Sequence, residues 1–150
     1  MKLSKNDDIK LNIDSLTSEG SGIGRFDGFA VFVRGVVPGD EVVAHIIKCS
    51  KNYAIGVVKD IIKPSKFRIE SDCPVSSKCG GCSFRNVSYD EELRYKKGRV
   101  QDALERIGKL DIEVEEIIGA DKCSHYRNKA QYPVSICDGE LFAGFYAYKS

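Results

Sequence analysis

The stretch GSGIGRFDGFAVFVRGVVPGDEV, residues 20–42, decides the fold. Asp27-Gly28 lies at its centre, and this dipeptide favours a type I′ turn because both residues tolerate positive φ. Residues 22–26 and 29–34 flank the dipeptide as two short strands. The Val-Pro-Gly-Asp run at residues 37–40 is typical of a second turn. The stretch therefore predicts a β-hairpin that leads into a further strand.

The same strand pattern extends on both sides of this hairpin. Ile9, Leu11 and Ile13 alternate with polar residues, as in a half-buried strand. Residues 42–49 and 53–62 read as two more strands, and Pro64 ends the last of them. Five short strands with Gly-rich turns predict a small closed barrel of the OB type over residues 1–63. Residues 63–68 read as a linker.

A cysteine-rich stretch follows at residues 73–82, CPVSSKCGGC. Cys73, Cys79 and Cys82 place three thiols within ten residues, and Gly80-Gly81 favours a tight turn between the last two. Three interpretations compete: a disulfide knot, a structural zinc site and an iron–sulfur cluster. The asymmetric spacing fits a cluster held by three local thiolates and one distant thiolate best.

The next segment predicts an amphipathic helix. Ser88 and Glu91 form a capping box, and Gly108 is a natural residue just past its end. The apolar face is formed by Leu93, Val100, Ala103, Leu104 and Ile107. The opposite face is basic, either as a solvated surface or as an RNA contact, and carries Arg94, Lys96, Arg99 and Arg106.

The last forty residues predict extended structure. Residues 111–119 read as a short strand or an extended connection. Arg127 and Lys129 would share a strand face and are candidates for phosphate contacts. Asp138-Gly139 predicts a second hairpin, with residues 141–148 returning. This apolar return strand, with Phe142, Phe145, Tyr146 and Tyr148, has nothing to cover it, so we expect the protein to continue beyond Ser150.

The barrel resembles the TRAM domain, an OB-like RNA-binding module, through the Gly-Ser-Gly-Ile-Gly-Arg run at residues 20–25, residues 30–33 and residues 37–42. This resemblance implies RNA contacts on the barrel. The cationic candidates for phosphate contacts are Arg25, Arg34, Lys48 and Lys51. The aromatic candidates for base stacking are Phe26, Phe29 and Tyr53. The alternative is that the cations are only solvated and the aromatic rings only fill the core.

The chain as a whole resembles the N-terminal third of the iron–sulfur-containing RNA uracil-5-methyltransferases. The resemblance rests on the cysteine stretch, the following helix, the Tyr-Arg-Asn-Lys run at residues 126–129 and the Gly-Phe-Tyr run at residues 144–146. It implies that Cys73, Cys79 and Cys82 bind a [4Fe-4S] cluster whose fourth ligand lies beyond Ser150. Cys123 and Cys137 do not match that ligand, although either is an alternative to it within residues 1–150. Cys49 reads as a buried barrel residue.

The resemblance also implies a role for each segment of the chain. We expect a barrel at residues 1–63, a linker and cluster loop at 64–87, a helix at 88–110 that docks on a catalytic domain, and the start of a central RNA-binding domain at 111–150. An absent C-terminal domain would bind S-adenosylmethionine and methylate C5 of a uridine. The substrate would be 23S ribosomal RNA rather than transfer RNA. Residues 1–150 alone would be non-catalytic.

The predicted strands and helix indicate an α+β protein, which we expect in the cytoplasm. The net charge is +1, so any RNA affinity must come from local patches. The N-terminus lacks the apolar run of a signal peptide, and six cysteines without an export signal suggest reduced thiols. We expect a monomer without membrane contacts. The alternatives are a stand-alone RNA-binding module with a zinc or iron–sulfur site, and a radical-forming methylthiotransferase.

Overall fold

Alternation of apolar and polar residues folds as five β-strands in the computed structural model, which describes residues 3–147. The strands are β1 Asp8–Leu16, β2 Gly22–Phe26, β3 Phe29–Arg34, β4 Glu41–Cys49 and β5 Tyr53–Lys63. They form a closed barrel in the order β1-β2-β3-β5-β4, with β4 returning to β1. The β3–β5 pairing is parallel and the others are antiparallel. The predicted five-stranded barrel is confirmed.

The barrel core consists of the inward residues of each strand. Ile9, Leu11 and Ile13 of β1 are buried, as their period-2 pattern predicted. Val31 and Val33 of β3 face the same core. The type I′ turn is also confirmed, since Asp27 and Gly28 have φ values of 48° and 80°.

Asp40 holds the end of the barrel together. Its carboxylate is fully buried and accepts the backbone N–H groups of Val37 (2.7 Å) and Ser65 (2.8 Å). Arg68 donates from Nε to the same carboxylate at 3.1 Å and forms an ion pair with it through Nη2. Burial raises the pKa of Asp40, but the hydrogen bonds from Arg68, Ser65 and Val37 outweigh it, so the pKa lies below its usual value.

The residues after β5 are therefore anchored to the barrel. The Ser65 hydroxyl donates to the carbonyl of Pro38 at 2.6 Å, and Phe67 accepts the Ser88 N–H at 2.8 Å. Residues 3–72 form one compact unit with Ser83–Ser88. The structure thus places residues 64–68, expected to be a linker, within the barrel unit.

The second unit contains Cys73–Cys82 and residues 89–147. Helix α1, Tyr89–Asp102, begins directly after Ser88, as predicted, and continues as a π-helical segment, Ala103–Ile107. The Gly108 N–H bonds to the carbonyl of Ala103 at 2.9 Å. Gly108 has a right-handed φ of −72°, and the left-handed residue is Lys109 with a φ of 53°. The helix end therefore differs by one residue from the prediction.

Residues 111–119 form the extended connection rather than a strand. Gln101 holds it along α1, donating to the carbonyl of Ile112 at 3.0 Å and accepting the Val114 N–H at 2.7 Å. The hairpin of β6 Val134–Cys137 and β7 Glu140–Ala143 turns at Asp138-Gly139, as predicted. Of the predicted return strand, β7 covers only its start, and Tyr148 lies outside the described residues. Among residues 3–147, no helix is long and apolar enough to span a bilayer.

Candidate functional site

One side of the barrel combines aromatic and cationic side chains. We call it the outer face; it comprises the outward residues of β2, β3 and β5, which are Ile23, Arg25, Ala30, Phe32, Arg34, Tyr53, Ile55 and Val57. The strand register sets these residues in rows. Arg25, Ala30 and Tyr53 form one row, and Ile23, Phe32 and Ile55 form the next.

The two aromatic rings of the outer face contact each other. Phe32 and Tyr53 meet edge to face, with their centroids 5.7 Å apart and their planes at 78°. Tyr53 is exposed and Phe32 is half-buried, so ring surface remains open to solvent. Flat aromatic surface on a barrel strand is what unpaired bases stack on.

Cationic side chains surround this aromatic pair. Arg25 shares the row of Tyr53, and Lys48 of β4 lies opposite Ile55. Arg34 follows on β3, and Lys51 lies in the turn before Tyr53. Arg25, Lys48 and Lys51 are exposed, and Arg34 is half-buried. The fold therefore brings the four barrel cations that were predicted as phosphate contacts to the surroundings of one aromatic pair.

The three aromatic residues that were predicted to stack on bases do not lie together on one surface. Phe26 and Phe29 pack against the barrel core, where they are partly buried. Tyr53 belongs to the outer face, and its partner Phe32 was not among the predicted stacking residues. Phe32 lies between the inward Val31 and Val33, so strict alternation along β3 is the sequence signal that could have placed its ring outside.

The cysteine loop is held by backbone contacts within the second unit. The Gly80 N–H donates to the carbonyl of Tyr146 at 3.2 Å, and Cys79 forms a bridge with Ala147. The Gly81 N–H points at the Cys79 sulfur, 3.3 Å away. Among residues 3–147, no group of three or more His, Cys, Asp or Glu side chains is arranged to hold a metal ion. Cys73, Cys79 and Cys82 thus offer suitable donor atoms that are not drawn together.

The remaining cysteines are exposed. Cys49 was expected to be buried, but it is exposed at the end of β4, and its thiol donates to the carbonyl of Leu3 at 3.3 Å. The prediction for Cys49 was wrong because the residue ends the strand instead of lying within it. Cys123 and Cys137 are exposed as free thiols.

The basic candidates of the second unit have a different setting. Arg127 and Lys129 lie in irregular chain before β6, not on a strand, and the Arg127 guanidinium lies 5.8 Å from the centroid of the Tyr126 ring. On α1, Arg94 and Lys96 pair with Glu91 and Glu92. Those pairs lower the local positive charge of the helix, which favours the solvated interpretation of its basic face.

The barrel and the whole chain both match known proteins. Residues 6–59 match the family model of the TRAM domain. A protein of Listeria monocytogenes serotype 4b named as an uncharacterized RNA methyltransferase is 45% identical over 148 residues, which are 99% of this chain and 33% of that protein. A protein of Halalkalibacterium halodurans with the same description is 44% identical over 99% of this chain and 32% of its own length.

Among solved structures, the crystal structure of the Pyrococcus abyssi tRNA (uracil-54, C5)-methyltransferase in complex with S-adenosyl-L-homocysteine matches with a TM-score of 0.42. The sequence identity is 23%, and the match covers 69% of this chain and 22% of that one. This similarity is too low to carry an argument about function. The chain spans about a third of the length of the curated relatives it matches. Its residues 6–59 match the TRAM domain, and nearly the whole chain is similar to about a third of the length of proteins that are named as RNA methyltransferases.

Proposed function

We propose that this chain binds single-stranded RNA through the outer face of its barrel. The observation that carries the proposal is the Phe32–Tyr53 pair among the surrounding cations Arg25, Arg34, Lys48 and Lys51. OB-type barrels bind oligonucleotides on the face of strands 2 and 3, where bases stack on aromatic rings and cations follow the phosphates. Arg127 and Lys129 would add phosphate contacts from the second unit.

In the full-length protein, this binding would place RNA for methyl transfer. The relatives named as RNA methyltransferases support this role. The reaction would be methylation at C5 of a uridine with S-adenosylmethionine as donor, and the substrate would be ribosomal RNA, 23S in particular. A catalytic domain outside residues 1–150 would perform the chemistry, so this chain alone would bind without turnover. The protein would act as a monomer in the cytoplasm.

The cysteine loop would hold a [4Fe-4S] cluster through Cys73, Cys79 and Cys82, with a fourth ligand beyond Ser150. Thiolates are the usual ligands of such clusters, and the N–H directed at the Cys79 sulfur is the kind of contact that tunes them. Because the three sulfurs are not drawn together, the loop would have to close around the metal as it binds. The cluster would serve as a structural staple for the loop.

The RNA proposal is tested by fluorescence anisotropy with a labelled, uridine-rich single-stranded RNA. Phe32→Ala and Tyr53→Ala should each weaken binding about 5- to 150-fold, since one base–aromatic stack contributes about 1–3 kcal/mol. Ile62→Ala removes an exposed apolar side chain of β5 outside the outer face and should leave the affinity unchanged.

Salt dependence tests the cationic part of the same proposal. The slope of the log association constant against the log salt concentration should become less negative by about 0.7 for each phosphate contact with a single strand that is removed. Arg25→Ala and Arg127→Ala should each produce one such step. Folded Phe32→Ala and Tyr53→Ala variants that bind like the wild type would refute the assignment of the outer face.

A further inference from the structure

A polar groove runs along β1, beside the outer face. Its volume is about 330 Å³, and we call it the β1 groove. It is lined by Lys10, Leu11, Asn12 and Asp14 of β1, Arg25 of β2 and Glu41 of β4. Arg25 belongs to both surfaces, so the groove adjoins the outer face.

The polar side chains of the β1 groove are not engaged with the protein. Within residues 3–147, those of Lys10, Asn12, Asp14, Arg25 and Glu41 make no hydrogen bond or ion pair with another residue. Asp8 of the same strand, in contrast, pairs with His45 and Lys59. Two carboxylates, two cations and one amide thus line one concavity with free hydrogen-bonding capacity.

A β-bulge adds one of these carboxylates. Ile13 pairs with Gly24 and Ser15 pairs with Ile23, so Asp14 between them has no partner on β2. The extra residue makes both Asp14 and Ser15 exposed, where strict alternation would bury one of them. Bulges of this kind re-aim a side chain, and they occur often beside functional sites.

The mixed charge of the groove restricts the ligand. A free anion would be repelled by Asp14 and Glu41, and a metal cation by Lys10 and Arg25. A nucleotide satisfies both halves, because its phosphate accepts from cations while a donor-bearing base edge gives hydrogen bonds to a carboxylate. Guanine offers two adjacent donors, N1–H and the N2 amino group, which match a carboxylate, whereas uracil offers one.

We propose that the β1 groove is a guanine-nucleotide subsite for the RNA that the outer face binds. Asp14 and Glu41 accept from the guanine edge, and Lys10 and Arg25 contact the phosphate. The volume lies at the lower end of the range of about 300–1,000 Å³ that is typical of small-ligand pockets, which is suitable for one nucleotide. This inference rests on the proposed RNA binding and adds a base preference to it.

The test compares two RNAs that differ in a single amino group. One is a uridine-rich strand of about eight nucleotides with one guanosine, and the other carries inosine at that position, which lacks the N2 amino group. The wild-type chain should bind the guanosine strand about tenfold more tightly, in line with the loss of one hydrogen bond to a charged carboxylate. The double variant Asp14→Ala, Glu41→Ala, which removes the acceptor oxygens of both side chains, should bind both strands alike.

Asp60→Asn is the matched control, since it removes one exposed carboxylate of β5 that does not line the groove. It should keep the preference for guanosine. Equal binding of the two strands by the wild type, or a preference that survives in the folded double variant, would overturn the groove assignment alone, provided that Phe32→Ala still weakens binding. Absence of any RNA binding would overturn the proposed function as well.

Discussion

At the scale of single residues, Asp40 connects parts of the barrel that are distant in the sequence. Its buried carboxylate accepts from the turn at Val37, from Ser65 and from Arg68. A buried carboxylate whose partner is removed remains uncompensated, and such changes cost about 3–5 kcal/mol of folding free energy. These contacts explain why the turn at residues 37–40 contains an aspartate.

We expect Arg68→Ala to lower the free energy of unfolding by about 3–5 kcal/mol at pH 7 in urea titrations. The depressed pKa of Asp40 stabilises the fold above the unfolded value of about 4, and this stabilisation is lost as the pH falls through the lower, folded value. The difference in the free energy of unfolding between Arg68→Ala and the wild type should therefore become smaller in acid.

The control for Arg68→Ala is Lys59→Ala, which breaks the exposed pair with Asp8. It should lower the free energy of unfolding far less than Arg68→Ala does, because exposed ion pairs contribute little. If Arg68→Ala cost no more than Lys59→Ala at pH 7, Asp40 would not anchor the segment after β5.

Single residues also show which structural features could be predicted from the sequence. Alternation assigned Ile9, Leu11 and Ile13 to the core, and the same rule would have placed Phe32 outside had it been applied to β3. The contacts of Asp40 with Ser65 and Arg68 join residues more than twenty positions apart. No local pattern specifies such a contact, so residues 64–68 read as a linker.

At the scale of elements, two glycines have similar positive φ values but differ in how closely they are packed. Gly20, in the loop between β1 and β2, has a φ of +78°, and a Cβ there would lie 2.7 Å from the carbonyl oxygen of Ser83. Gly28 has a φ of +80° in the hairpin turn, but a Cβ there would meet nothing within 4 Å. The two positions therefore share the same backbone strain and differ in packing.

We expect Gly28→Ala to cost about 1–2 kcal/mol of unfolding free energy, through backbone strain alone. Gly20→Ala should cost clearly more, because the loop must also move away from Ser83. Hydrogen exchange should then show faster exchange at residues 83–88 in Gly20→Ala only. Equal losses in the two variants would mean that the Ser83 contact contributes nothing to stability.

Helix α1 shows that a sequence pattern can predict the start of an element and miss its end. Ser88 and Glu91 marked its start correctly, since the rules for N-terminal caps are local. Its end passes through the π-helical segment Ala103–Ile107, and the left-handed residue is Lys109 rather than Gly108. Nothing in the spacing of Leu104 and Ile107 distinguishes a π-helical turn from an α-helical one.

At the scale of the whole molecule, the barrel and the cysteine loop belong to different compact units. The proposed cluster should therefore affect the loop more than the barrel. The sequence identified the three thiols, but it contains no information on whether they converge without metal.

We expect anaerobically purified full-length protein to be brown and to contain iron and sulfide. Replacement of Cys73, Cys79 and Cys82 by serine should remove the colour and leave the urea midpoint of the barrel unchanged. The control is Cys49→Ser, an exposed thiol of the barrel, which should keep the metal. Stoichiometric zinc without iron would exclude the cluster and leave a zinc site.

The closed barrel also determines where the chain can join a neighbouring copy of itself. Each of the five barrel strands is hydrogen-bonded to two others, so the barrel has no open edge for another chain to extend. Among residues 3–147, β6 and β7 pair only with each other, and Ile136 and Leu141 are exposed on them. Self-association at high concentration should therefore start at this hairpin and spare the barrel.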